Sequence, residues 1–118
     1  MAPMENENGV SCRGYAVGHI ASPYGDMLEF ELFGEEQTWC LVMVPDFRGR
    51  GGPKLILRRG RLTGSGGHPS STVMALRKYL SGGRIRDIGN TRHGAFFSVR
   101  MASLTGEVES GEVRCRFD

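Results

Sequence analysis

MLEFELFGEEQTWCLVMV, Met27 to Val44, sets the class of this fold. Its first seven residues alternate Leu28, Phe30 and Leu32 against Glu29 and Glu31, the two-residue period of a half-buried strand with a solvent-facing acidic side. Gly34-Glu35-Glu36-Gln37 then reads as a four-residue turn, which makes the pair an antiparallel hairpin. Thr38 to Val44 is apolar almost throughout, as expected of a central strand covered on both faces, and Pro45 ends it. Upstream, Tyr15 to Ile20 alternates as a strand and Ser22 to Asp26 is turn chemistry. Downstream, Lys54 to Arg58 is a short strand between two glycine clusters, Gly49, Gly51, Gly52 and Gly60, Gly64, Gly66, Gly67. Arg84 to Ile88, Ala95 to Met101 and Glu112 to Phe117 complete at least six strands. Trp39, Phe96 and Phe97 fall within these patterns and are expected in the core.

One helix interrupts the strands. His68-Pro69-Ser70-Ser71 opens it, with a serine as N-cap. Val73, Leu76, Tyr79 and Leu80 recur as one apolar stripe with Met74 alongside, and Gly82-Gly83 supplies a left-handed cap. Arg77 and Lys78 in the last turn suit the helix dipole. The class is therefore α+β, a β-rich curved antiparallel sheet or sandwich with one main helix. With 118 residues the chain has material for one core. Residues 1–13 read as a leader without pattern and 14–118 as a single domain.

The formal net charge of +2 hides a strong asymmetry. Eleven Lys or Arg lie between Arg48 and Arg92 against one acid, Asp87, and acidic segments flank this block. Thirteen of the fifteen cations are Arg, whose planar fork suits bidentate phosphate contacts. A cationic block of this kind is the footprint of a nucleic-acid-facing domain, and equally of a solvated basic surface. No apolar run approaches the ~20 residues of a bilayer span, and the acidic start Met1 to Asn8 is unlike a signal peptide. Cys12, Cys40 and Cys115 are odd in number and lack metal-ligand spacing. Reduced thiols in a cytoplasmic setting are expected, with a single disulfide as the alternative.

Catalytic chemistry is not apparent. His19, His68 and His93 are scattered, and no nucleophile–base pair or metal set accompanies them. Gly64-Ser65-Gly66-Gly67-His68 has phosphate-loop composition but lacks the Lys-Ser/Thr of a P-loop and the GxGxxG of a dinucleotide fold. No cofactor, no metal and no enzymatic activity are expected.

The string from His68 to Ile88, HPSSTVMALRKYLSGGRIRDI, resembles the N-terminal domain of the NFACT family, the fibronectin-binding-protein-A-like factors of ribosome-associated quality control. Its Pro-initiated helix, Leu76-Arg77-Lys78-Tyr79-Leu80, glycine cap and Arg84-Ile85 strand follow the family's order. The hairpin and the strands on either side of it fit more generally. The resemblance implies a fold similar to the N-terminal domain of formamidopyrimidine-DNA glycosylases, and work on the large ribosomal subunit and tRNA. Two positions depart from these patterns. The family's Asp-Arg signature reads Thr91-Arg92 here, and a glycosylase's nucleophilic N-terminal proline would be Pro3, one residue too far in. The chain would be an N-terminal fragment or a shortened relative.

The leading expectation is a non-enzymatic RNA-binding module contacting tRNA or large-subunit rRNA, with ribosomal proteins as possible neighbours. Arg77, Lys78, Arg84, Arg86 and Arg92 would carry the contact. Arg58, Arg59 and Arg61, with Arg48 and Arg50, would widen it. The alternative is a protein–protein interaction domain docking an acidic partner on the basic block, or pairing through the edge of Tyr15–Ile20.

Overall fold

A computed structural model describes residues 12–23, 27–45, 52–64, 69–101 and 111–117. The chain order is β1 (Ala16–Ala21), β2 (Leu28–Phe33), β3 (Thr38–Val44), β4 (Lys54–Arg59), α1 (Ser71–Leu80), β5 (Arg84–Asn90), β6 (Ala95–Met101) and β7 (Gly111–Phe117). All strands join one seven-stranded sheet in the order β4-β3-β2-β1-β5-β6-β7, with every neighbouring pair antiparallel. The fold is thus α+β with a mostly antiparallel sheet. Arg48, Arg50, Ser65–His68 and the segment around Glu107 lie outside the described residues.

The sheet is strongly curled, and two contacts prove it. Phe30 on β2 and Phe97 on β6 meet edge to face at 5.0 Å between ring centroids, although β1 and β5 stand between their strands. In a flat sheet three strand steps would hold them ~14 Å apart. The Asn90 side chain, at the end of β5, accepts from the Leu55 amide at 2.8 Å and donates to the Leu55 carbonyl at 3.0 Å. It thereby imitates a strand neighbour for the edge strand β4, and Lys54 Nζ adds a 2.7 Å bond to the Thr91 carbonyl. Asn90 itself ends β5, and the turn is confined to residues 91–94, closed by Thr91 N–H to the Gly94 carbonyl at 2.8 Å.

Inside the curl lies a core of Leu28, Phe30, Leu32, Trp39, Leu41, Met43, Leu55, Ile85, Ile88, Phe97 and Val99, which Val73 and Leu80 of α1 join. Cys12, just ahead of β1, belongs to it as well. Ile85 and Ile88 both reach this interior because β5 carries a bulge between Ile85 and Asp87. Without the extra residue an i, i+3 pair would point to opposite faces.

Helix α1 starts where expected: the Ser70 hydroxyl accepts from the Val73 amide at 3.2 Å. Its buried stripe is narrower than the sequence suggests. Tyr79 is 55% exposed and Met74 59% exposed, leaving Val73 and Leu80 buried with Leu76 partly so. The helix packs beside β1, which pairs with β5 at a single register position, Ala16 with Arg84. Gly82 and Gly83 continue that pairing through Val17. A Cβ on Gly83 would run into Val99 and Met101, so only glycine lets the chain pass there. Consequently β1 is interior, and the edges of the sheet are β4 and β7. The expected partner-pairing edge at Tyr15–Ile20 does not exist.

Candidate functional site

Of the ten cations singled out in the sequence, the eight among the described residues divide into three groups. Arg58, Arg59 and Arg61 belong to β4 and the loop after it, at one margin of the sheet. Arg77 and Lys78 are on α1. Arg84, Arg86 and Arg92 belong to β5 and its turn. Three strands, β3, β2 and β1, separate β4 from β5 in hydrogen-bonded order.

The β4 group is engaged internally. Glu29 sits on the outer face of β2, where alternation predicts solvent, yet it is 2% exposed. Its carboxylate accepts from Arg58 Nη2 at 3.1 Å, from the Thr63 amide at 2.8 Å and from the Thr63 hydroxyl at 2.7 Å. The loop after β4 folds back over the sheet and buries it, so the expected solvent face for these acids holds only in part. Arg58 is thereby a structural counter-ion. Arg59 lies 5.4 Å from the Trp39 ring centroid, in cation–π range. Arg61 is exposed.

On α1, Arg77 Nε donates to the Ile20 carbonyl at 2.9 Å, fastening the helix to β1. Lys78 lies 5.5 Å from the Tyr79 ring centroid.

The third group gains members the sequence reading missed. In the register of the sheet, Arg84 faces Arg100 on β6, and Arg100 faces Glu112 on β7. The next rows on this outer face place Ser98 beside Arg114, and Phe96 beside Arg116. Arg114 stacks on Phe96 at 4.6 Å. Arg86 projects to the same side, 3.8 Å from Glu112, and Asp87 is 3.5 Å from Arg13. Among the described residues, five guanidinium groups thus share one face with two carboxylates, Asp87 and Glu112. Arg84 and Arg100 are directly opposed like charges, an arrangement that costs stability unless an anion sits between them. Arg100 has no ion pair among the described residues. Arg92 lies in the β5–β6 turn and is exposed. Arg100, Arg114 and Arg116 escaped notice because they lie outside the Arg48–Arg92 block. The two-residue spacing of Arg114 and Arg116 on a strand was the available signal.

An open cleft borders this face. It has a volume of ≈ 630 Å³ and lies between the start of β1, the β2–β3 turn and Arg84. Elsewhere, the thiols of Cys12 and Cys40 are free and buried, and burial pushes both up to about 11 from an ordinary 9.0. Cys115, also free and partly buried, is shifted upward for the same reason. Among the described residues no cluster of His, Cys, Asp or Glu could hold a metal ion, and no helix is long and apolar enough to cross a membrane.

The architecture has solved counterparts. The N-terminal domain of the fibronectin-binding protein PavA from Streptococcus pneumoniae matches 88% of this chain with a TM-score of 0.65 at 20% identity. The N-terminal part of the fibronectin/fibrinogen-binding protein FBPS from Streptococcus suis matches 88% with a TM-score of 0.65 at 21% identity. This chain spans 37% of the length of each of those chains. No protein-family model and no curated protein matches the sequence. At this identity the likeness is one of fold: the chain shares the fold of part of the N-terminal domains of these fibronectin-binding proteins.

Proposed function

We propose that this chain is a non-enzymatic RNA-binding module whose contact surface is the outer face of β5, β6 and β7. The observation that supports it is the cross-strand pair Arg84–Arg100, continued by Arg114 and Arg116 and joined by Arg86 beside Glu112. Guanidinium forks on a rigid sheet meet phosphate oxygens two at a time, and each phosphate placed between opposed arginines relieves their repulsion. Phosphate contacts of this kind position an RNA by shape and charge rather than by sequence. The large ribosomal subunit and tRNA, in ribosome-associated quality control, are the RNAs we assign to it, in keeping with the fold and with the helix-to-strand string His68–Ile88.

The test is a filter-binding titration with bulk tRNA and with large ribosomal subunits at low and moderate salt. Binding that weakens steeply with salt is expected. The variant Arg84→Glu/Arg86→Glu should lose retention while keeping its melting transition. Unchanged retention would remove the assignment. Binding to an acidic protein that bulk tRNA fails to displace would favour a protein-docking role instead.

A further inference from the structure

The cleft beside Arg84 has walls of two different kinds. Tyr15 and Phe33 contribute aromatic surface, backed by the edge of the buried Trp39, and Glu35, Glu36 and Gln37 of the β2–β3 turn contribute hydrogen-bonding groups. Arg13 and Arg84 close it on the side of β5. The turn is held by the Gly34 amide donating to the Gln37 carbonyl at 3.1 Å. Tyr15 lies against Gly34, where a Cβ would come within 3.0 Å of the ring, so the absent side chain lets the tyrosine form the floor. Phe33 stays 46% exposed at the rim, an apolar ring left open to solvent.

We infer that this cleft takes one unstacked guanine base of a single-stranded RNA, with its phosphate directed toward Arg84. The inference rests on the RNA reading above. A volume of ≈ 630 Å³ falls within the ~300–1,000 Å³ of small-ligand sites and accommodates a nucleotide. Aromatic rings receive splayed bases by stacking. The turn then selects among them. A carboxylate only accepts hydrogen bonds, and guanine's Watson–Crick edge offers two adjacent donors, N1–H and the N2 amino group. Adenine's edge pairs one donor with an acceptor nitrogen, which a carboxylate repels. The same carboxylates keep phosphate away from the turn, so the backbone must leave on the arginine side. Arg84 serves both places: it lines the cleft and begins the arginine row that crosses to Arg100. A strand whose base enters the cleft therefore has its next phosphates on the proposed contact surface.

Trp39 is the chain's single tryptophan and lines the cleft, so its fluorescence reports occupancy. The whole chain is titrated with GMP, AMP, UMP and ribose 5-phosphate. Saturable quenching by GMP is expected, with AMP at least about tenfold weaker and ribose 5-phosphate without effect. Tyr15→Ala should weaken GMP about tenfold. Glu35→Gln/Glu36→Gln, on an exposed turn where folding is not at stake, should bring AMP and GMP together. Absence of quenching by GMP, equal quenching by ribose 5-phosphate, or an intact guanine preference in the glutamine variant each overturns the inference. Salt-sensitive tRNA retention without GMP quenching would overturn the cleft assignment and leave the RNA reading standing. GMP quenching without any RNA retention would overturn both the RNA reading and the single-strand assignment that depends on it.

Discussion

The outer side of the sheet carries arginine in two regions, over β2 to β4 and over β5 to β7, and the two regions treat it differently. In the first, Arg58 is spent on a carboxylate that is 2% exposed, and the loop carrying Thr63 covers the pair. In the second, Arg84 and Arg100 face each other, both exposed, and among the described residues neither makes an ion pair. The residue type is the same. What differs is whether the fold itself supplies the anion. A buried carboxylate needs its cation, so Arg58 belongs to folding; no buried anion holds Arg84 or Arg100, and the proposal above gives them to binding.

The largest effect should come from breaking the covered region. Arg58→Ala leaves the Glu29 carboxylate buried and short of its counter-ion, a class of change that costs several kcal/mol. Thr63 retains two of the hydrogen bonds, and the Arg58 side chain is 39% exposed. A loss of about 2–3 kcal/mol is therefore expected. Thermal melting should show a drop on the order of 10–15 °C, while RNA retention by the folded protein changes by less than about twofold. A variant that melts normally and loses RNA would exchange the roles assigned to the two regions.

The open region should respond the opposite way. Arg100→Glu removes one proposed phosphate contact and places a carboxylate between Arg84 and Glu112. RNA affinity should fall by at least about tenfold and the salt slope by about 1. Stability should change by less than ~0.5 kcal/mol, because the opposite pair gained with Arg84 is offset by a like pair with Glu112 on the other side. Urea denaturation beside filter binding reads both quantities. A destabilised Arg100→Glu would mean that the arginine holds the sheet together rather than waiting for an anion.

The difference between the regions was only partly legible in the sequence. Strand positions, the hairpin from Met27 to Val44, the Ser70 cap and the α+β class follow from periodicity and turn chemistry, which are local. The fate of each charge is not local. Glu29 alternates as a solvent-facing residue should, and it is buried only because a loop thirty-four positions later returns to it. Asn90 reads as a turn residue until the curl of the sheet brings Leu55 within its reach. Tyr79 fits the apolar stripe of α1, but a helix lying beside β1 buries only a narrow strip. Arg100 and Arg114 became visible only through register, since sixteen and thirty residues separate them from Arg84 in sequence and one and two strands in space.

The smallest expected effect uses the cysteines as reporters of the same contrast. Cys40 lies in the covered region, in register with Glu31 and Arg58, and is fully buried. Cys115 lies on the edge strand β7 and is partly exposed. With a thiol reagent near pH 8, Cys115 should react first and Cys40 only on unfolding. Titration extends the test. Burial raises the Cys40 thiol from 9.0 to about 11, with the neighbouring Glu29 charge acting in the same direction. An unfolded chain therefore loses this proton at lower pH than the folded one. The stability that the buried thiol preserves is complete below pH 9 and disappears as the pH rises toward 11. Cys40→Ala should consequently flatten the decline of melting temperature between pH 9 and 11 relative to the parent chain. If the two curves stay parallel, the surface over β2 to β4 is open to water, and the distinction between a region that neutralises its arginine and one that exposes it fails at its covered end.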